Sequence, residues 1–451
     1  MSSFRIFHVF RGQNINMKII KNPKRYTWNE ILARPAIDNT FLERTVANIL
    51  KDVKAHGDEA LKHCARHFDK VELDEFLVSE VEFAEAEAQI SQELKDAIGI
   101  AKANIEKFHA AQIEKPEIIE TTTGVFCWRK SVAIEKVGLY VPAGTAPLFS
   151  TVLMLAIPAH IAGCKEIVVC SPPAANGKIN AVTLYAAKLC GATKVFKIGG
   201  AQAVGAMTFG TQTVPKVSKI FGPGNQFVTE AKQQVTKFGV AIDMPAGPSE
   251  VAVFADESSI PAFVAADLLS QAEHGVDSQV LLVSTSEKVI EESLAELEKQ
   301  LEVLPRKAIA EKAVENSKAI YFDDFDTALE LLNEYAAEHL ILAVENADEI
   351  AEKVINAGSV FIGNYSCESA GDYASGTNHT LPTNGYAKSY SGVSLDSFVR
   401  KITFQKLTAD GIKNLGRAVE CMAEAEELQA HKNAITVRLE ALTTNYTNDT
   451  N

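Results

Sequence analysis

The sequence predicts an α/β protein with two Rossmann-like, doubly wound modules, preceded by a helical N-terminal segment and followed by a helical C-terminal arm. Two observations predict this class: short β-branched runs alternate with helical stretches, and the alternation occurs twice along the chain. Such alternation favours parallel sheets with helices on both faces. We expect four parts, at residues 1–136, 137–245, 246–380 and 381–451.

The N-terminal part is charged and helical in pattern up to about Thr123, without a β-rich run, and we expect it to pack on the second module. Met1 to Asn16 hold two arginines but neither a long apolar core nor an Ala-x-Ala-like cleavage site. A signal peptide is therefore not expected, and Met17 is an alternative start.

The two modules are predicted from their β-branched and helical runs. In the first module we expect strands at Val137–Val141, Glu166–Cys170, Lys194–Ile198 and Lys219–Phe221, and helices at Asn180–Leu189, Ala201–Phe209 and Gln226–Phe238. In the second we expect strands at Val251–Phe254, Gln279–Val283, Ala319–Phe322, Leu340–Val344 and Ser359–Ile362, and helices near Ile260–Glu273, Glu287–Leu301, Thr327–Tyr335 and Ala347–Asn356.

A polar stretch from Tyr365 to Asp396 follows the second module and is rich in Ser, Gly, Thr, Asn and Tyr. A loop of this length inside a compact enzyme is usually functional. Ala409 to Leu442 is then predicted to be a helical arm, and Thr443–Asn451 a polar tail.

Composition excludes several classes of function. The chain has 44 basic and 58 acidic residues, a net charge of −14, which disfavours binding to nucleic acid or to anionic membranes. The most apolar stretch, Leu148 to Gly163, contains Pro158 and His160 and is too short for a membrane span. The seven cysteines are scattered, without C-x-x-C spacing, which favours reduced thiols in the cytoplasm and disfavours a thiolate zinc site.

Four histidines, His274, His339, His379 and His431, lie beside carboxylates or a glutamine and together suggest one zinc site with a general base next to it. Gln271 and His274 are three residues apart, so they share a helix face, and Gly275 is a plausible C-cap that would put both in the last turn, where a cation is favoured. Spacing alone leaves a structural role open for these residues.

Glu338 and His339 are adjacent at a predicted helix-to-strand transition. Open α/β sheets often place active groups at strand ends, so the two could act as proton acceptors, one for an alcohol and one for water. A surface glutamate beside a packing histidine explains the same residues equally well.

Two glycine-rich turns could bind a nucleotide phosphate, although no G-x-G-x-x-G motif follows a strand. They are Ile198–Ala203 and Phe221–Asn225, each between a predicted strand and a helix, where free N–H groups could face a phosphate. Plain tight turns account for them as well, so the pattern alone indicates an α/β enzyme and leaves nucleotide dependence open.

Five sequence motifs together resemble those of a known family. They are Val137–Pro142, Phe221–Asn225, Asp243–Glu250, Leu268–Gly275 and Glu368–His379, and with them the chain from about Lys18 to Leu442 resembles histidinol dehydrogenases. The resemblance implies an enzyme requiring NAD and zinc that oxidises L-histidinol to L-histidine in two hydride transfers, the last step of histidine biosynthesis.

The resemblance also implies roles for individual residues. The metal ligands would be Gln271, His274, Asp372 and His431; the catalytic pair Glu338 and His339; and the NAD contacts Tyr140, Gln202 and Asn225. Ser249, Glu426 and His379 would contact the substrate, together with the metal ligands and His339. Simple helical spacing would pair Glu427 with His431, but the family phrase Glu-x-Leu-x-x-His selects Glu426.

The resemblance further implies an intertwined homodimer in which the C-terminal arm reaches into the neighbour's site. A zinc-dependent hydrolase with a glutamate-activated water is the alternative function, and it would need no nucleotide. A non-catalytic metal-binding protein would leave the adjacent Glu338 and His339 unexplained.

Overall fold

The computed structural model describes residues 17–34, 39–143 and 146–448. Contacts divide the chain into two units: Met1–Ala111 with Ile134–Phe398, and Gln112–Ala133 with Val399–Asn451. The expectations for Met1 to Asn16 lie outside the described residues. The boundary predicted at 245/246 stays a prediction, because both predicted modules belong to the first unit.

The strands are β1 (Lys18–Lys21), β2 (Ile118–Thr122), β3 (Val125–Ala133), β4 (Lys136–Tyr140), β5 (Glu166–Ser171), β6 (Lys194–Lys197), β7 (Lys219–Phe221), β8 (Ala241–Ile242), β9 (Glu250–Ala255), β10 (Gln279–Ser284), β11 (Lys318–Tyr321), β12 (His339–Ala343), β13 (Ser359–Ile362) and β14 (Val399–Leu407). The α-helices are α1 (Trp28–Ile31), α2 (Asn39–His56), α3 (Asp58–Cys64), α4 (Glu80–Ala88), α5 (Gln92–Ala110), α6 (Ser150–Ala162), α7 (Ala181–Leu189), α8 (Gly200–Phe209), α9 (Gln226–Val235), α10 (Pro261–Ala272), α11 (Glu287–Leu301), α12 (Lys307–Glu315), α13 (Phe325–Tyr335), α14 (Ala347–Ala351), α15 (Glu368–Tyr373), α16 (Ala409–Ala425) and α17 (Gln429–Asn448).

The first unit contains two parallel sheets. One has five strands in the order β6-β5-β4-β7-β8, and the other has six in the order β1-β11-β10-β9-β12-β13. Both faces of each sheet are covered: along β9, Val251 and Val253 pack into one apolar cluster, whereas Ala252 and Phe254 pack into another. This alternation is what a strand buried on both faces requires. The predicted α/β class with doubly wound parallel sheets is confirmed.

The N-terminal segment differs from the prediction in two ways. It contains strands, since β1 pairs with β11 at the edge of the six-stranded sheet and β2 pairs with β3. Its long helices pack mainly on the first module: α2 packs on α8 and α9, α4 on α7, and α5 on α6. The predicted packing on the second module holds for Trp28, Ile31 and Leu32, which share a cluster with Phe254 of β9. Apolar residues of α2, such as Val46 and Leu50, share a cluster with Val204 of α8, so burial of this face decides the placement.

The apolar stretch noted above forms α6, whose residues from Ser150 to Ala159 are all buried. A helix that is apolar all round is typical of a protein core. None of the helices within residues 17–34, 39–143 and 146–448 combines the length and the apolar character needed to cross a membrane.

The second unit combines an antiparallel sheet, β14-β3-β2, with a hairpin of α16 and α17. Gly416 allows the two helices to approach closely, because a Cβ at this position would lie 3.0 Å from side-chain atoms of Ile435 and Leu439. The helical arm was predicted, but the sheet was not, and the arm shares its unit with residues 112–133 and begins with a strand at Val399.

Candidate active site

A cavity of about 1070 Å³ in the first unit brings many of the predicted residues together. Its lining includes Asn225, Ser249, His274, Glu338 and His379. Tyr140, Gln202, Gln271 and His339 are buried and do not line it. The cavity meets the five-stranded sheet where Gly222 follows β7, and the six-stranded sheet where Ser249 and Glu338 precede β9 and β12.

Tyr140 is the last residue of β4, at the carboxyl edge of the five-stranded sheet. Its buried hydroxyl accepts a hydrogen bond of 3.1 Å from the N–H of Gly200, the first residue of α8. Burial raises the pKa of Tyr140 to about 12, so the hydroxyl stays protonated and can donate in turn. The side-chain oxygen of Gln202 folds back over Gly200, within 2.7 Å of where a Cβ would stand.

The second glycine-rich turn connects β7 to α9 and requires glycine at its first position. Gly222 has φ of 117°, and a Cβ there would lie 2.1 Å from the carbonyl oxygen of Tyr140. Asn225 is the N-cap of α9, and its side-chain oxygen accepts from the N–H groups of Phe227 and Val228 at 3.1 and 3.2 Å. Its amide nitrogen is therefore the part of the side chain that can face a ligand.

A buried ion pair holds this turn. Lys232 lies 2.5 Å from Asp243, with side-chain exposures of 4% and 1%. The ammonium group also donates to the carbonyl of Gly222 at 2.8 Å, and the carboxylate accepts from the N–H of Gly222 at 2.8 Å. The pair thus fixes both polar main-chain groups of one residue in the turn.

Glu338 and His339 lie at the amino edge of the six-stranded sheet, whereas Tyr140 lies at the carboxyl edge of the five-stranded sheet. α13 ends at Tyr335 and His339 is the first residue of β12, so the predicted helix-to-strand transition is confirmed, and the pair lies at the amino end of the strand. Glu338 accepts from the N–H of Glu250 at 3.0 Å, and Nδ1 of His339 lies 3.2 Å from the carbonyl oxygen of Glu250. One residue of β9 therefore contacts both members of the pair through its main chain.

Next to this pair, His274, Glu368 and Asp372 bring one potential ligand atom each within 4.8 Å of one another. Nε2 of His339 and Oδ1 of Asp372 are 3.4 Å apart, and neither atom has a hydrogen-bond partner among the described residues. One imidazole and two carboxylates suit a divalent cation such as zinc. The residues present therefore fit the metal that the sequence resemblance implies.

Gln271, also expected as a ligand, is buried on α10 against Glu368. Its amide nitrogen faces that carboxylate, 3.3 Å from Oε2, and its oxygen accepts from the N–H of Glu250 at 2.9 Å; the reverse orientation would bring two acceptors together. The prediction for Gly275 was wrong, because α10 already ends at Ala272 and Gly275 does not adopt a left-handed conformation.

The carboxylates decide the electrostatics of the pair. Burial raises the pKa of Glu338 to about 8. For His339, burial alone would lower the pKa, but Glu368, Glu338 and Asp372 outweigh it and raise the pKa to about 10. The surrounding carboxylates therefore favour the protonated form of His339.

His379 and the residue before it anchor the segment that follows α15, the helix that carries Asp372. Nδ1 of His379 lies 2.9 Å from the carbonyl oxygen of Asp372, and the amide of Asn378 donates to the carbonyl of Met154 in α6 at 2.6 Å. That carbonyl is free because Pro158, four residues later in the helix, has no N–H.

Glu426 and His431 belong to the second unit, where both are exposed. Glu426 is the C-cap of α16, Glu427 has a left-handed backbone with φ of 60°, and His431 lies in the first turn of α17. Helical i, i+4 spacing does not apply to Glu427 and His431, because α16 ends at Ala425 and α17 begins at Gln429.

Three residues at the site were missed from the sequence. Glu368 stands four positions before Asp372 on α15, a spacing that could have indicated a shared face. Glu250 closes the phrase that begins at Asp243 and was not given a role. Arg34 binds Glu250 from a segment that had no chemical signal at all.

Comparisons with known proteins place the chain in a family. The sequence model of histidinol dehydrogenase matches residues 32–439. Histidinol dehydrogenase of Bacteroides fragilis (strain YCH46) is 61% identical over 426 residues, 94% of this chain and 100% of that protein. That of Mannheimia succiniciproducens is 52% identical over 413 residues, covering 91% and 96%.

A solved structure agrees as well. The crystal structure of histidinol dehydrogenase from Elizabethkingia anophelis superimposes with a TM-score of 0.93 at 56% identity and covers 95% of this chain and 99% of that one. The family model, the two relatives matched over almost their whole length, and the solved structure all name the same enzyme. The chain belongs to the histidinol dehydrogenase family.

Proposed function

We propose that the protein oxidises L-histidinol to L-histidine through L-histidinaldehyde, consuming water and reducing two NAD+, as the last step of histidine biosynthesis. The observation that carries this proposal is family membership over residues 32–439. The buried Glu338 and His339 supply the two proton acceptors that the two oxidations need.

The proposed NAD site lies at the carboxyl edge of the five-stranded sheet, with Tyr140, Gln202 and Asn225 as contacts. Its position supports this, since ligands of open α/β sheets bind outside the carboxyl ends of the strands, where the strand order reverses. β4 and β7 are the neighbours at that reversal. α9 starts there, and Asn225 and Gln226 at its N-terminus line the cavity, which favours a pyrophosphate.

The proposed zinc ligands are Gln271, His274, Asp372 and His431. Two of them, His274 and Asp372, form the cluster with Glu368, which makes Glu368 a further candidate. When bound, zinc would chelate the amino and imidazole nitrogens of the substrate and offset the carboxylates that keep His339 protonated.

In the proposed mechanism His339 takes the hydroxyl proton of the alcohol while hydride leaves its carbon for NAD+. Glu338 then takes a proton from the water that adds to the aldehyde, and the hydrate gives the second hydride. Glu338 faces the cavity, whereas His339 stands behind it against β9. Ser249, His379 and Glu426 are proposed to hold the substrate, with the aldehyde kept bound between the two steps.

We also propose a homodimer in which each arm completes the neighbour's site. Exposed apolar side chains on the second unit support an interface there: Ile118 is 62% exposed and Met422 66%. Glu426 and His431 are exposed on the same unit. The cytoplasm is the proposed location, supported by seven cysteines that are all free.

The reaction is tested by following NADH absorbance after mixing the protein with L-histidinol and NAD+. We expect two NADH per histidinol, loss of turnover with a chelator, and recovery with zinc. Consumption of a substrate without NADH would favour a zinc hydrolase instead. His274→Ala should also bind less than one zinc per chain when zinc and protein are mixed in equal amounts. Full activity of a metal-free variant would refute the metal assignment.

The shared site is tested by complementation. Glu338→Gln and His431→Ala should each be nearly inactive, but unfolding and refolding them together makes half the dimers mixed, each with one intact site. Activity should return to about a quarter of wild type if the arm serves its neighbour. No recovery in verified heterodimers would show that each arm serves its own chain.

A further inference from the structure

Arg34 and Glu250 form a buried ion pair that the proposed mechanism does not use. We propose that Arg34 is a positioning residue: by clamping Glu250 and the end of α13, it fixes Glu338 and His339 in the geometry for proton transfer. This inference rests on the proton-acceptor roles proposed above for the pair.

The main chain of Glu250 is the point of contact. Its N–H donates to Oε2 of Glu338 at 3.0 Å, and its carbonyl oxygen lies 3.2 Å from Nδ1 of His339. The Glu250 carbonyl is an acceptor facing Nδ1 of His339, and the Glu250 N–H is a donor to the Glu338 carboxylate, so together they define the orientation of both side chains. A shift of this one peptide segment would therefore move both proton acceptors together.

The side chain of Glu250 is what keeps that segment in place. It is 2% exposed, and its two carboxylate oxygens are bound by Nε and a terminal nitrogen of Arg34, the latter at 2.8 Å. The N–H of Asn384 donates to the same carboxylate at 2.8 Å. Burial raises the pKa of Glu250 and Arg34 opposes this rise, so removing the guanidinium would leave a buried carboxylate without its cation.

Arg34 also binds the end of α13, the helix that precedes Glu338 and His339. Its terminal nitrogen donates to the carbonyl of Tyr335 at 2.8 Å, and its guanidinium lies 4.2 Å from the centre of the Tyr335 ring. Tyr335 is the last residue of α13, three positions before Glu338, and the next residue, Ala336, has a left-handed backbone with φ of 54°. Arg34 thus binds both the first residue of β9 and the end of α13, the segment that leads into β12.

The chemistry requires arginine in particular. A planar fork can bind a carboxylate with two nitrogens, reach a carbonyl and stack on an aromatic ring, which a lysine ammonium cannot do together. The same N-terminal segment offers a matched control: Arg25 pairs with Glu330, but their side chains are 69% and 48% exposed. Arg25 should therefore be dispensable for catalysis.

The test compares Arg34→Met, Arg34→Lys and Arg25→Met in the zinc-loaded enzyme, with rates expressed per bound zinc. We expect Arg34→Met to lower kcat for both histidinol and histidinaldehyde by about 10- to 100-fold, as a misplaced catalytic group does. The KM for NAD+ should stay within about twofold, because the proposed NAD contacts belong to the other sheet. Zinc content is measured for each variant, since Gln271 accepts from the same N–H of Glu250 that contacts Glu338. Added guanidinium ion should restore part of the lost kcat in Arg34→Met, whereas Arg25→Met should match wild type.

Arg34→Lys keeps the charge, and is expected to fold like wild type yet turn over about tenfold more slowly, since the fork is lost. Unchanged kcat per bound zinc in either Arg34 variant would overturn the inference and leave Arg34 a purely structural residue, as would equal damage in Arg25→Met. Glu338→Gln and His339→Asn, measured in parallel, separate failure of this inference from failure of the proposed function. If these two variants are fully active, the proposed roles of Glu338 and His339 are wrong, whatever the Arg34 variants show.

Discussion

The two parallel sheets of the first unit present opposite edges to the cavity. At the five-stranded sheet, Tyr140 and Gly222 come at the carboxyl ends of strands, and helices α8 and α9 begin there. At the six-stranded sheet, Glu250 and His339 come at the amino ends of strands, and helices α10 and α13 end nearby. The same doubly wound architecture is thus used in two orientations around one cavity.

The difference matters because a helix has a partial positive charge at its N-terminus and a negative one at its C-terminus. The carboxyl edge therefore favours an anion, such as the pyrophosphate of NAD, and the amino edge favours a cation, such as zinc or a protonated imidazole. The proposed reaction uses one ligand of each kind, and unlike edges facing one cavity provide both environments without a change of fold.

The largest expected effect is at the amino edge. His339→Asn should slow histidinol oxidation by about 10²- to 10⁴-fold with less effect on supplied histidinaldehyde, and Glu338→Gln should do the reverse, as loss of a general base predicts. The two half-reactions can be followed separately by NADH formation. Equal damage by both variants to both half-reactions would mean that the roles are shared.

A buried ion pair at the carboxyl edge should give the next largest effect. Lys232→Met removes the ammonium group paired with the buried Asp243, so we expect a loss of about 3–5 kcal/mol in the free energy of unfolding. The KM for NAD+ should rise as Gly222 is released, while zinc content stays normal. Lys165→Met, which breaks an exposed pair with Glu135, is the control. Zinc loss in Lys232→Met would show that the two edges are not independent.

Gly222→Ala should weaken the same edge through sterics. The added Cβ would meet the Tyr140 carbonyl oxygen at 2.1 Å and take a strained backbone, for which we expect about 2–4 kcal/mol. Gly239→Ala isolates the backbone part, because Gly239 has φ of 81° and nothing within 4 Å, and should lose about 1–2 kcal/mol. Equal losses in urea titrations of the two variants would contradict the close approach to Tyr140.

The smallest effect is expected behind the amino edge. Asn378→Ala removes the donor to the Met154 carbonyl, and an unpaired buried acceptor lowers the free energy of unfolding by about 1–3 kcal/mol. In the double variant Pro158→Ala/Asn378→Ala, the new N–H can pair with Met154, so part of the loss should return. Strict additivity of the two substitutions would exclude this link.

Much of the fold could be predicted because its strands are short, β-branched and separated by amphipathic helices. The strands β4–β7 and β9–β13 coincide with predicted runs to within one or two residues. α6 was not predicted as a helix, because an apolar run around a proline carries no periodicity. β14 was not predicted because its partner lies far away in sequence: Leu407 pairs with Val125. β2 and β3 form a local hairpin, in which Ile118 pairs with Trp128, and this hairpin was missed.

The candidate site divides in a similar way. His274, Asp372, Glu338 and His339 lie close together as motif resemblance implied, with Gln271 against Glu368. Arg34 and Glu250 could not be found, since their importance lies in a contact across 216 residues that no local pattern records. The sequence spacing also does not tell whether His431 completes a site of its own chain or of a neighbouring chain, because that depends on how chains assemble.

Pro158 has a consequence for the order in which the molecule is made. During synthesis α6 emerges early, with one carbonyl that its own helix cannot pair. Its partner, Asn378, follows 224 residues later, on the loop between Asp372 and the end of the first unit. The innermost helix of the first module is therefore completed only when the loop of the candidate site arrives, so a chain truncated before residue 378 should keep an unfinished core, and chaperones and proteases should recognise it as such.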